Sequence, residues 1–182
     1  MPRIELITDK AQVSEDRHAE MDAIVATLHR VGGPFGVMLY SPGLAQKVME
    51  AGAHIRLNST LSQLERELTI MAVSREKDAA YEWAAHVNIA RTAGLPEEVV
   101  EAVRNSGDVS GFDPDQRDIV LFVRQLLQKN RVEQGLFDSL VERKGVRWLV
   151  ELAGTVGQYQ YISAINNTFG LEPAEGADKL PV

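Results

Sequence analysis

Two residues four apart, Glu82 and His86, stand in an otherwise alanine-rich stretch, YEWAAHVNIARTAGL (residues 81–95). A carboxylate and an imidazole are a working pair for general acid–base chemistry. A neutral imidazole takes a proton from a carbon acid or from water, and a charged one delivers a proton to a developing enolate. The carboxylate orients the ring, or acts as the acid where burial raises its pKa. On a helix, residues four apart stand one above the other and share a patch. Advancing about 100° per residue gathers Lys77, Tyr81, Asn88, Arg91 and Thr92 into one solvated stripe. Glu82, His86, Ile89 and Ala93 fall away from that stripe, and Trp83, Ala79, Ala90 and Gly94 lie on the far side. The pair therefore points inward. A buried pair can be purely structural, each group satisfying the other, but neighbouring alanines leave room for a pocket.

A second carboxylate precedes them. In LSQLERELTIMAV, Leu61, Leu64, Leu68, Met71 and Ala72 form one apolar face with Glu67 at its margin, and Glu65 and Arg66 read as solvated. Taken alone, Glu67 reads as a surface residue. A short link from Arg75 to Lys77 folds the two segments into a helical hairpin and brings Glu67 beside His86. Glu67, Glu82 and His86 are thus the candidate catalytic residues. They also include the donor types for a divalent ion, but a fourth ligand is not evident, so no metal and no cofactor is expected. An anionic substrate calls for an arginine, and Arg56, Arg66 and Arg91 are the candidates. Tyr161 and Ile162, three and four residues after Gln158 on a later helix, present with it a face suited to lining a pocket or to a subunit contact. Trp83 reads as core packing. Tyr81 receives no role, and His18, His29 and His54 stand isolated.

The elements that must position these groups are helical throughout. A first helix starts near Ser14 and stops at Gly32 and Gly33. Ser41-Pro42 opens another that runs to the mid-50s. Ser62 with Glu65 has capping-box spacing. Asp78 is placed to cap the helix that Gly94 ends, and Pro96 opens a short one. Asp113-Pro114 starts a helix to about Asn130, a further helix ends at Gly145, and the longest runs from 146 to Gly170. Residues 171–182 read as a loose tail. No strand alternation, repeat or low-complexity tract is present. The expectation is a single all-α domain over 1–182, with N-terminal helices in 14–56, a core at about 55–140 and a C-terminal helix at 146–170.

Composition narrows the chemistry further. With a net charge of -7 and no dense basic run, phosphate-backbone binding is not expected. The chain has no cysteine, which removes thiolate nucleophiles, disulfides and thiol redox chemistry together. The N-terminus is too polar for a signal peptide, and no apolar run is long enough to span a bilayer. A soluble cytoplasmic protein is expected, with no membrane or nucleic-acid partner.

The segment LERELTIMAVSREKDAAYEWAAHVNIARTAGLPEEVVEAV resembles the core of the carboxymuconolactone decarboxylase and alkylhydroperoxidase D-like superfamily. The resemblance implies an all-α helical bundle around a helical-hairpin core, assembled as a dimer, trimer or hexamer. Met38 and Leu39 suit such an interface and suit a core equally. The peroxidase branch uses a Glu, two cysteines three apart and a His. Glu67 and His86 match the first and last of these, and Ala79 and Glu82 stand where the thiols would be. The decarboxylase branch carries a Glu four residues before its His, which Glu82 and His86 match. The implied function is a cofactor-independent acid–base enzyme acting on a small organic acid or lactone, by decarboxylation or a related lyase or hydrolase step. A metal-dependent enzyme using Glu67, Glu82 and His86, and a non-catalytic oligomer that binds a small ligand, are the alternatives. A pocket packed with side chains around His86 would favour the last.

Overall fold

The computed structural model describes residues 2–29 and 31–181, and among these all regular structure is helical. Nine α-helices follow in order: α1 (His18–Leu28), α2 (Gly33–Met38), α3 (Pro42–Leu57), α4 (Gln63–Glu76), α5 (Ala80–Thr92), α6 (Glu97–Arg104), α7 (Pro114–Lys129), α8 (Gln134–Lys144) and α9 (Val146–Phe169). Short 3-10 turns at Lys10–Gln12 and Glu15–Arg17 precede them.

The helix starts show why these segments fold locally. At α4, the Ser62 hydroxyl accepts from the Glu65 backbone N–H, and the Glu65 carboxylate accepts from the Ser62 N–H at 2.8 Å, so two orphan donors are satisfied reciprocally. At α7, Asp113 accepts from the N–H groups of Asp115 and Gln116, with Pro114 in the first turn. Gly170 closes α9 in the left-handed conformation.

Helix α4 is the hub. It packs on α5, α7 and α9, and every residue from Glu67 to Ser74 is buried. The main apolar core forms around it, with Leu68, Met71, Trp83, Val87, Val100, Ile119, Val123, Leu152 and Tyr159. A second cluster, with Met21, Ile24, Met38, Leu39, Ala45, Met49 and Ile162, joins α1, α2 and α3 to the far half of α9. Thus α9 belongs to both clusters. Gln158 ties it to α3 by donating to the Val48 carbonyl at 3.0 Å.

Several local expectations are corrected. The first helix begins at His18, after a 3-10 turn, and closes at His29 in the left-handed conformation, short of the two glycines. Asp78 does not cap α5. Its own φ is +47°, its carboxylate meets Arg75 at 3.2 Å, and Ala79 takes the cap position without a side-chain bond. Of the two places left open for Met38 and Leu39, the core is the one they take, 4% and 1% exposed in the second cluster. Residues 171–181 are no loose tail, and Val182 lies outside the described residues. Leu171 and Leu180 are buried, and between them Asp178 accepts from Trp83 Nε1 at 3.1 Å, from Arg91 at 2.8 Å and from Arg104 at 2.5 Å. The two guanidinium groups hold the Asp178 carboxyl far below the usual range, well past what burial would raise. No helix among the described residues is long and apolar enough to cross a membrane.

Candidate active site

The hairpin of α4 and α5 brings the three expected residues together. Glu67 projects from the middle of α4, and Glu82 and His86 project from successive turns of α5. The His86 Nδ1 lies 2.7 Å from Glu67 Oε2. On the other side of the ring, Nε2 lies 3.4 Å from Glu82 Oε2. Both carboxylates are only 4% exposed. A side chain that loses water this completely needs partners, and each carboxylate has a second one. Arg66 Nε meets Glu67 Oε1 at 3.4 Å, and Asn166 Nδ2 on α9 donates to Glu82 Oε1 at 2.8 Å.

These contacts set the charge of the ring. Burial acts to drive the proton off His86, but hydrogen bonding and charge attraction from Glu67 and Glu82 outweigh it and lift the pKa from 6.5 to about 9. The imidazole is therefore a cation near neutral pH, with a proton on each nitrogen. The Nδ1 proton is committed to Glu67. The Nε2 proton faces a contact of 3.4 Å, longer than a good hydrogen bond, so it remains available to a third group.

That third group has a place to sit. A cavity of about 170 Å³ is lined by Glu82, Ala85 and His86 from α5, Arg56 from α3, Pro34 and Phe35 from α2, and Gln158, Tyr159 and Ile162 from α9. Tyr159 stands edge-on to His86, with ring centroids 5.3 Å apart. Burial, followed by the Glu82 charge, keeps the Tyr159 hydroxyl protonated far into the alkaline range, while the Arg56 charge partly opposes that. Arg56 makes no ion pair with a carboxylate among the described residues.

Of the three candidate arginines, the structure brings only Arg56 to the cavity. Arg91 is spent on Glu97 and Asp178, and Arg66 on Glu67 and the Arg56 carbonyl. Gln158 and Ile162 line the cavity, and Tyr161 packs against the second cluster instead. Trp83 is fully buried, with Arg104 stacked on its ring at 5.0 Å. Glu67 is no surface residue, because α4 is enclosed on every side around it. Glu65 is not solvated either. It caps α4 and binds Lys144 at 3.0 Å and Trp148 Nε1 at 3.3 Å. Ile89 is 41% exposed, so the inward patch narrows to Glu82 and His86.

Tyr159 and Asn166 went unread in the sequence. A signal was available: Thr155, Tyr159, Ile162 and Asn166 recur at helical spacing and are all buried, a mixed polar and apolar stripe aimed at the site. The metal reading does not fit this geometry. Glu67 and Glu82 occupy opposite nitrogens of one ring and do not converge on a common point, and no cluster of three His, Asp or Glu suited to an ion occurs among the described residues.

An all-α bundle with a carboxylate–imidazole–carboxylate array at the mouth of its central hairpin is the class that fold and site define. Residues 42–125 match the carboxymuconolactone decarboxylase family, and the chain carries no cysteine. Solved structures agree on the fold. A peroxidase-related protein with an alkylhydroperoxidase D core from Ralstonia eutropha superposes with a TM-score of 0.75 at 19% identity, covering 96% of this chain and 93% of its own. A peroxidase-related protein from Silicibacter sp. gives 0.73 at 16% identity, covering 96% and 94%. A cysteine-to-alanine variant of the debrominase Bmp8 in complex with 2,3,4-tribromopyrrole gives 0.73 at 13% identity, covering 96% and 95%. No curated protein shows a significant sequence match.

Proposed function

We propose that the protein is a cofactor-independent acid–base enzyme acting on a small organic acid or lactone, with His86 as the proton donor. The observation that carries this reading is one imidazole held between two buried carboxylates on the wall of a cavity that also presents Arg56. Arg56 anchors a substrate carboxylate, by charge and by its planar fork. Glu67 fixes the ring from behind and stabilises its charged form. His86 Nε2–H then neutralises negative charge as it develops. In a decarboxylation, the electron pair of the breaking C–C bond passes into an enolate, carbon dioxide leaves, and the Nε2 proton is transferred to that enolate. In a lactone hydrolysis, water adds to the carbonyl carbon, the ring C–O bond breaks, the Nε2 proton goes to the leaving alkoxide, and the proton released by the water returns to the imidazole. Glu82, held by Asn166, lies beside the transfer and keeps Nε2–H turned to the cavity.

Thiol peroxidase chemistry has no place here, because the chain carries no cysteine and Ala79 and Glu82 stand where the resemblance puts the thiols. The cavity beside His86 is open, not filled by side chains, which takes away the feature that would favour a non-catalytic binding protein. Assembly into a homo-oligomer is part of the same proposal, and light scattering on the purified protein reads it directly.

The deciding experiment is a screen of γ-carboxymuconolactone and β-keto acids on the wild type, His86→Ala and Glu82→Gln. Removing a positioned general acid costs about 10² to 10⁴ in rate. Turnover by the wild type with a loss of that order in His86→Ala is expected. Activity surviving both substitutions, or no compound turning over, refutes the assignment.

A further inference from the structure

The inner cavity is small. At about 170 Å³ it falls below the roughly 300 Å³ at which small-molecule sites begin, and it holds about half a dozen waters' worth of volume at 30 Å³ each. Ala85, at its rim, is also part of the wall of a second cavity of about 390 Å³ between α5 and the segment after α9. That groove is walled by Tyr81, Ala84 and Ala85 on one side and by Ala174 and Ala177 on the other, with Glu172 as its only charged lining residue.

Two features make the groove a prepared surface and not a gap beside a frayed end. The segment from 172 to 177 is anchored at both ends, by buried Leu171 and Leu180 and by the Asp178 contacts to Trp83, Arg91 and Arg104. The α5 side presents only the small side chains of Ala84 and Ala85 beside Tyr81. The chemistry also divides along its length. Arg56 and His86 lie at the inner end, and the outer walls offer almost nothing for a polar group to bond, with the Glu172 charge set against an anionic tail.

We propose that the substrate is amphipathic: an acidic head in the inner cavity, and an uncharged apolar tail running past Ala85 along the groove between α5 and residues 172–177. This rests on the anionic-head reading above and extends it to the rest of the molecule.

The test is a chain-length series measured by calorimetry: acetate, butyrate, hexanoate and octanoate, with the corresponding primary alcohols alongside. Burying one methylene is worth about 0.8 kcal/mol, so affinity should rise about threefold to fourfold per methylene once the chain passes Ala85. The carboxylates should bind more tightly than the alcohols, with the same slope. Ala174→Trp, on the exposed wall, and Ala84→Phe, on α5, should each remove the gain for octanoate and leave butyrate unchanged. Affinity that is flat with length, binding at no length, or a slope that survives both substitutions overturns the groove. A slope in both series with carboxylates no tighter than alcohols leaves the groove standing and sinks the acidic head, so the two failures are told apart.

Discussion

Replacing Glu67 by glutamine keeps the shape of the site and deletes one of the two charges that hold the imidazole protonated. In the wild type, the ring is lifted from 6.5 to about 9 against the opposing effect of burial. At 1.36 kcal/mol per pH unit, this is at most about 3 kcal/mol of preference for the protonated, folded state. The direction in pH follows from linkage. A folded-state pKa above the unfolded one contributes stability that is fully present below 6.5 and is lost as pH rises through about 9. Wild-type unfolding free energy, from urea titrations at half-unit steps, should therefore fall by up to that amount across this window. In Glu67→Gln the decline should be shallower, because burial then faces the Glu82 charge alone. The variant should be less stable than the wild type at pH 6.5, with the gap closing towards pH 9. Imidazole nitrogen shifts followed by NMR give the same answer directly, as a lower pKa for His86 in the variant. Subtracting the two proteins cancels the other three histidines. A wild-type profile that is flat or rising between pH 6.5 and 9, or an unchanged His86 pKa in Glu67→Gln, refutes the charge assignment and with it the proton-donor role.

Three further outcomes are expected. Arg56→Met should raise KM for an acidic substrate at least tenfold with a smaller change in kcat, since it removes binding shared by ground and transition states; steady-state kinetics on any substrate found in the screen checks this. Asp178→Ala takes one carboxylate partner from each of two guanidinium groups and leaves an indole N–H unpaired, and should cost about 2 kcal/mol in denaturant titrations and open residues 171–181 to limited proteolysis. Ser62→Ala removes one half of the capping box and should cost about 1 kcal/mol in the same titrations.

The reach of the sequence can be judged from particular residues. Short-range rules read correctly at the Ser62 and Glu65 box, at Asp113 before Pro114 and at Gly170 after the longest helix, and failed at Ser41 and Asp78, neither of which makes a side-chain cap bond. Helical phase likewise turned Glu82 and His86 away from solvent. It failed where a helix is enclosed on several sides. One apolar stripe cannot describe α4, so Glu67 read as marginal when it is buried. On α9, which serves two cores, Tyr159 escaped between two residues that were noticed. The 171–182 stretch looked loose because its composition is polar and its anchors are distant: Asp178 meets Trp83, Arg91 and Arg104, 95, 87 and 74 residues earlier in the chain. Such pairings leave no local trace.

The second apolar cluster has a consequence for access to the site. Pro34, Phe35 and Arg56 belong to helices that pack on that cluster, whereas Glu67, Glu82 and His86 ride on the hairpin of the main core. Roof and reacting groups therefore rest on different apolar clusters, and proteins open locally at free energies below that of global unfolding. A fluctuation that frees α1 to α3 lifts the roof and the anchoring guanidinium away together, and leaves the proton donor and both of its carboxylates in place. Hydrogen exchange of the α1 to α3 amides would then report the frequency with which the cavity stands open to solvent.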